Sequence, residues 1–123
     1  MTDLAVLVRQ LQGHSKVAFP YSAGWSNIGA GFEGASYSRH GRVVRLQGMV
    51  TKAAGTPADG DVIGTLPANH RPEEILRFTV VTGTGRFFGA IDVEPDGQVV
   101  WRAGATGETD YVSFSGVSFV VEV

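Results

Sequence analysis

The chain contains no cysteine. That single absence removes disulfide frameworks, thiol nucleophiles and cysteine-based zinc sites together. It also lacks any apolar run near the roughly 20 residues that a membrane-spanning helix requires, and no basic stretch leads into a signal-peptide core at its N-terminus. A soluble protein made in the cytoplasm is expected, with no membrane partner. Strong charge of either sign is missing too. Ten basic against 12 acidic residues leave a net charge of −2, so no long-range field gathers phosphate backbones and nucleic acid is not an expected partner.

What is present is one domain's worth of chain, 123 residues, long enough for one core and too short for two. Glycine is abundant, with 17 residues, about twice average usage. Many turns follow from that.

One segment reads as a helix. Within residues 3 to 12, Thr2 or Asp3 can cap the start, Leu4, Leu7, Val8 and Leu11 share a face, and Gly13 can end it. About three turns are marginal alone in water, so the stripe must be buried, either on its own domain or against copies of itself. Residues 1–20 are therefore assigned as an attachment or oligomerisation segment, and residues 21–123 as the folded domain.

From Gly13 to Gly34 the chain is rich in glycine, serine and aromatics, with one short strand possible near Val17 to Tyr21. Strand patterns then follow one another. Ser36 to Arg39 and Arg42 to Thr51 are joined by His40-Gly41, a plausible tight hairpin. In the second of these Val44, Leu46, Gly48 and Val50 face one way, and Arg45 and Gln47 the other. Val62 to Leu66 forms a strand that Pro67 stops, and a rigid corner runs on to Pro72. Ile75 to Val81 and Phe87 to Val93 alternate as strands, and Glu94-Pro-Asp-Gly97 is a turn leading back into Gln98 to Arg102. Tyr111 to Ser115 and Gly116 to Val123 close the chain, with Val117, Phe119, Val121 and Val123 on one face. Seven or eight short strands with turn signals every 8 to 12 residues or so predict an all-β fold, an antiparallel β-sandwich of jelly-roll type with a short N-terminal helix.

Residues that could carry chemistry are few. Gly29-Ala-Gly-Phe-Glu-Gly34 has the letters of a dinucleotide fingerprint, but a loop precedes it, a strand follows it, and no acidic residue lies about 20 positions on. His14, His40 and His70 fall in three separate connections, without the spacing of a metal site. The acidic pairs are explained by turns, and no nucleophile sits beside a base. No cofactor, no metal and no enzymatic activity are expected. The aromatic residues are more informative. Tyr21, Trp25, Phe32 and Trp101 are candidates for a platform on which a sugar ring or a protein partner stacks, or they plug the ends of the sandwich.

Four phrases occur in order: Tyr37-Ser-Arg-His-Gly-Arg-Val-Val-Arg-Leu-Gln-Gly48, Gly64-Thr-Leu-Pro-Ala-Asn-His-Arg-Pro72, Ile91-Asp-Val-Glu-Pro-Asp-Gly-Gln-Val99 and Val112-Ser-Phe-Ser-Gly-Val-Ser-Phe119. Through their order, residues 36 to 119 resemble the C-terminal β-sandwich, or head-type, domain of bacteriophage tail and receptor-binding proteins. The resemblance implies a homotrimer displayed on the virion that binds the host surface, cell-wall saccharide included, without catalysis. This chain has only some 30 residues before the domain. That leaves open a second placement, as a capsid decoration or head-fibre protein whose N-terminal segment docks on other virion proteins. A lectin-like module or small hydrolase independent of virions is a third reading.

Overall fold

The computed structural model describes residues 16–29, 31–52, 57–83, 87–102 and 111–122. Leu4, Leu7, Val8 and Leu11, and with them the expected N-terminal helix, lie outside the described residues. Within these limits the fold is all-β. Eleven strands occur: β1 (Val17–Ala18), β2 (Trp25–Asn27), β3 (Ser36–His40), β4 (Val43–Gln47), β5 (Met49–Lys52), β6 (Val62–Thr65), β7 (Leu76–Thr82), β8 (Phe87–Val93), β9 (Gln98–Arg102), β10 (Val112–Ser113) and β11 (Val117–Val120). They form two antiparallel sheets, β1-β3-β4-β11 (sheet A) and β2-β5-β10-β7-β8-β9-β6 (sheet B), packed face to face as a sandwich.

The core is what alternation demands. Val44 and Leu46 of β4 and Val117 and Phe119 of β11 are buried from sheet A; Val80, Ile91, Val93, Val99 and Trp101 are buried from sheet B. Successive side chains of a strand point to opposite faces, so one apolar set per strand suffices to fill the space between the sheets.

The strand expected over Arg42 to Thr51 is divided in the fold. Its apolar alternation continues through Val44, Leu46 and Val50, yet β4 belongs to sheet A and β5 to sheet B. The division falls at Gly48, which has φ +94°. A side chain there would strike the backbone of Gly34 and Ala35, and the Gly48 carbonyl accepts the Phe114 N–H at 2.8 Å. Only glycine combines this left-handed backbone with so close a neighbour. The chain thus crosses from one sheet to the other without a loop.

Two further strands were less legible. β2 has only three residues, held on β5 with Trp25 opposite Lys52, and its Trp-Ser-Asn sequence has no alternation to read. β1 spans Val17–Ala18, and Tyr21 instead bridges to Gly64 on the edge of sheet B.

The proline corner is a single 3-10 turn, Ala68–His70. Leu66 anchors it in the core and donates its N–H to the Gly97 carbonyl at 2.8 Å. The Arg71 Nε donates to the Leu66 carbonyl at 3.0 Å. Arg39 of β3 reaches across to donate to the Asn69 carbonyl, and the His70 ring stands edge-on to Tyr37 with centroids 4.9 Å apart. The corner therefore fastens one end of sheet B to sheet A.

Candidate binding cleft and the placement of the aromatic residues

The four aromatic candidates separate into two kinds. Trp25 and Trp101 are in the core, at 6% and 2% exposure. The Trp101 indole lies over Gly89 of the neighbouring strand, where any side chain would collide with it, so the absence of a Cβ at Gly89 makes the indole's seat. Tyr21 is half-buried. Its ring is edge-on to Phe19 at 5.4 Å, its hydroxyl donates to the Asn27 Oδ1, and burial pushes its pKa up to about 12. Phe32 is 47% exposed, with its ring 5.9 Å from that of Tyr111. No two of these four rings touch among the described residues, and the two tryptophans present no stacking face on the surface of the chain.

A cleft with a different lining lies on the outer face of sheet A. It has a volume of about 330 Å³ and is lined by Glu33, Arg45, Gln47, Ser115, Gly116 and Ser118. Its origin is the same alternation that builds the core. Because Val44 and Leu46 point inward, Arg45 and Gln47 point out; because Val117 and Phe119 point inward, Ser118 points out. Register then sets Arg45 directly opposite Ser118. The turn at Ser115-Gly116, closed by the Val117 N–H on the Phe114 carbonyl at 3.1 Å, forms one end. Glu33, paired at 3.5 Å with Lys16, forms another side.

The chemistry of this lining is hydrogen bonding. A guanidinium, an amide, two hydroxyls and a carboxylate offer both donors and acceptors, in a volume at the lower end of small-molecule sites. Arg45 has no hydrogen-bond or ion-pair partner among the described residues, so its five N–H donors are available to a ligand. Next to the cleft, Ser36 stands opposite Gln47 in the register, and its buried hydroxyl has no partner among the described residues. The polar face of β4 was readable from its alternation. Its meeting with β11 was not, because Arg45 and Ser118 are far apart in the chain.

The histidines remain apart: His40 ends β3 at the surface and His70 lies in the corner, while His14 is outside the described residues. Among the described residues no group of three His, Asp or Glu side chains is placed to hold a metal ion. Burial, followed by the charge of Arg39, holds the His70 pKa below the ordinary imidazole value.

The chain matches no protein-family model and no curated protein in sequence. In fold it is similar to the receptor binding protein (gp15) of Listeria phage PSA, with a TM-score of 0.73 and 15% identity, over 97% of this chain and 71% of that one. The sandwich architecture expected from the four ordered phrases is thus shared, at the level of the fold, with a phage receptor-binding protein.

Proposed function

We propose that this protein is a bacteriophage virion structural protein of the tail-tip or receptor-binding type, a homotrimeric β-sandwich that contacts the host cell surface and catalyses nothing. The observation that carries this reading is the fold likeness to the Listeria phage receptor binding protein along almost the whole chain. The polar cleft of sheet A supports it. Two hydroxyls, an amide, a carboxylate and a guanidinium with no ion-pair partner among the described residues match the hydroxyl groups of a cell-wall saccharide better than they match an apolar ligand. The contact surface is accordingly assigned to this cleft and not to the tryptophans.

The test is binding of fluorescently labelled protein to a panel of bacterial cells and to a glycan array. Labelling of a subset of strains, reduced at least tenfold by Arg45→Ala, is the expected result. Trp25→Ala is unsuitable as a control because it opens a hole in the core. The absence of binding to every cell and glycan, with retained association to purified capsids that is lost on deleting residues 1–20, would replace this reading with capsid decoration.

A further inference from the structure

The surface that forms the cleft continues past its lining residues. β4 runs on into β5, paired with β10, and β10 leads to β11, paired with β4, so one two-stranded ribbon passes from sheet A into sheet B. Val112 and Phe114 of that ribbon fill the core, which turns Tyr111, Ser113 and Ser115 outward. Ser115 lines the cleft. Ser113 adjoins it, its hydroxyl accepting the Ser115 N–H at 3.3 Å. Tyr111 lies four residues of chain from Ser115 on the same side, roughly 13 Å along an extended backbone.

Phe32 covers that end of the ribbon. Its ring packs 5.9 Å from the ring of Tyr111, and Tyr111 is 8% exposed whereas Phe32 is 47% exposed. Tyr111 therefore backs the ring, and the rest of it faces solvent. In the chain Phe32 is followed by Glu33, whose side chain lines the cleft and whose carbonyl accepts the Met49 N–H at 3.0 Å. The Phe32 N–H itself donates to the Gly29 carbonyl at 2.9 Å. Backbone bonds on both sides and Tyr111 beneath hold the ring in place, so little ordering entropy opposes its use by a ligand. A single exposed aromatic residue is ordinary. Phe88 is one such residue, on β8, with β7 between it and β10. Phe32 differs because it adjoins the cleft through Glu33 and the outward row of the ribbon.

The cleft and the ring suit different parts of one kind of molecule. A pyranose carries hydroxyl groups around its rim and C–H groups on its faces. The cleft supplies donors and acceptors for the first, and the negative face of an aromatic π system attracts the second. We propose that Phe32 is a second subsite, stacking the sugar ring next to the one bonded in the cleft, so that the protein takes a bacterial surface saccharide of at least two rings. This rests on the assignment of the cleft as the saccharide contact and extends it along the ribbon. A single sugar in the cleft leaves Phe32 unused; a longer chain engages both.

The experiment is NMR titration of wild type, Phe32→Ala, Phe32→Trp and Arg45→Ala with the mono-, di- and trisaccharides of glucose, galactose, rhamnose and N-acetylglucosamine, circular dichroism confirming the fold of each variant. Wild type is expected to bind a disaccharide about fivefold to tenfold more tightly than its monosaccharide, the scale of one aromatic contact. Phe32→Ala is expected to remove that gain and leave the monosaccharide affinity unchanged, Phe32→Trp to keep the gain, and Arg45→Ala to weaken both ligands. Equal affinities of wild type for the two lengths, or a gain that survives Phe32→Ala, overturn the subsite and leave the cleft standing. Phe32→Ala weakening the monosaccharide as much as the disaccharide also overturns it, since the ring would then belong to the first subsite. Failure of wild type to bind any of these saccharides, or affinities that Arg45→Ala leaves unchanged, overturns the cleft reading and the subsite with it.

Discussion

Arg77 holds the Asp92 carboxylate with two parallel hydrogen bonds, Nε to Oδ1 at 2.7 Å and Nη2 to Oδ2 at 2.9 Å. The two residues are cross-strand partners on β7 and β8. Arg102 of β9 adds a third bond to Oδ2 at 3.0 Å, so three strands are stitched through one carboxylate that is almost wholly buried. Arg77 foremost, against the opposing effect of burial and with help from Arg102, holds the Asp92 pKa below the ordinary carboxylate range. A buried carboxylate is tolerated because each of its oxygens is bonded to a cation.

Asp92→Asn is expected to destabilise the domain by about 1–3 kcal/mol, the range for losing charge-assisted hydrogen bonds at a buried site. Because the folded pKa is depressed, the contribution is present above the unfolded carboxylate pKa of about 3.9 and is lost as the pH falls through the lower folded value. Urea unfolding between pH 7 and pH 2.5 checks both points. A wild-type and an Asn variant with the same acid dependence would refute the assignment.

His70 acts at a different pH. Its folded pKa is lowered, so the unfolded chain binds the proton more tightly, and stability falls as the pH drops from about 6.5 through the folded value. The His70 Nδ1 is buried without a partner among the described residues, which agrees with an imidazole kept neutral. A thermal melting series from pH 8 to pH 5 is expected to show this loss in wild type and to lose that component in His70→Phe. NMR titration of His70 above its ordinary value would contradict it.

Gly48→Ala is expected to cost at least about 2 kcal/mol, because it combines a left-handed backbone for a residue with a Cβ and a collision with the Gly34 backbone. Gly116→Ala is the comparison. Its φ of +88° is similar but a Cβ there meets nothing within 4 Å, so the difference between the two variants isolates the collision. Equal denaturation midpoints would remove the close approach from the explanation.

Trp101→Ala and Phe32→Ala should separate cleanly. The first empties a core position and is expected to cost about 3–5 kcal/mol; the second removes a half-exposed ring and is expected to cost less than about 1 kcal/mol. Chemical denaturation of both, followed by circular dichroism, is the measurement. Similar losses would mean that exposure does not sort these aromatic residues as described.

Much of the fold was legible because each strand's burial follows from its own alternation. The Glu94-Pro-Asp-Gly97 turn is one instance: the Gly97 N–H donates to the Glu94 carbonyl at 2.8 Å, and the Gln98 carbonyl accepts the Glu94 N–H at 2.9 Å. Less legible were the features that depend on a distant neighbour. Asp92 alternates as a surface residue, yet it is buried because Arg77 and Arg102 close over it. The tryptophans read from sequence as plug or platform, with the plug favoured, since an indole's exposure depends on what packs against it; for Trp101 that is Gly89.

The residues alone determined the class of this protein: an all-β chain of short strands, one core, and a proline corner near its middle. Period-two patterning and turn chemistry are local properties, and local properties can be read without a partner. Only the tertiary structure decided that the strand from Arg42 to Thr51 changes sheets at Gly48 and that Arg45 and Ser118 line one cleft. Each of these is a relation between segments far apart in sequence. Chain order carries no distance between such segments until the sheets have packed.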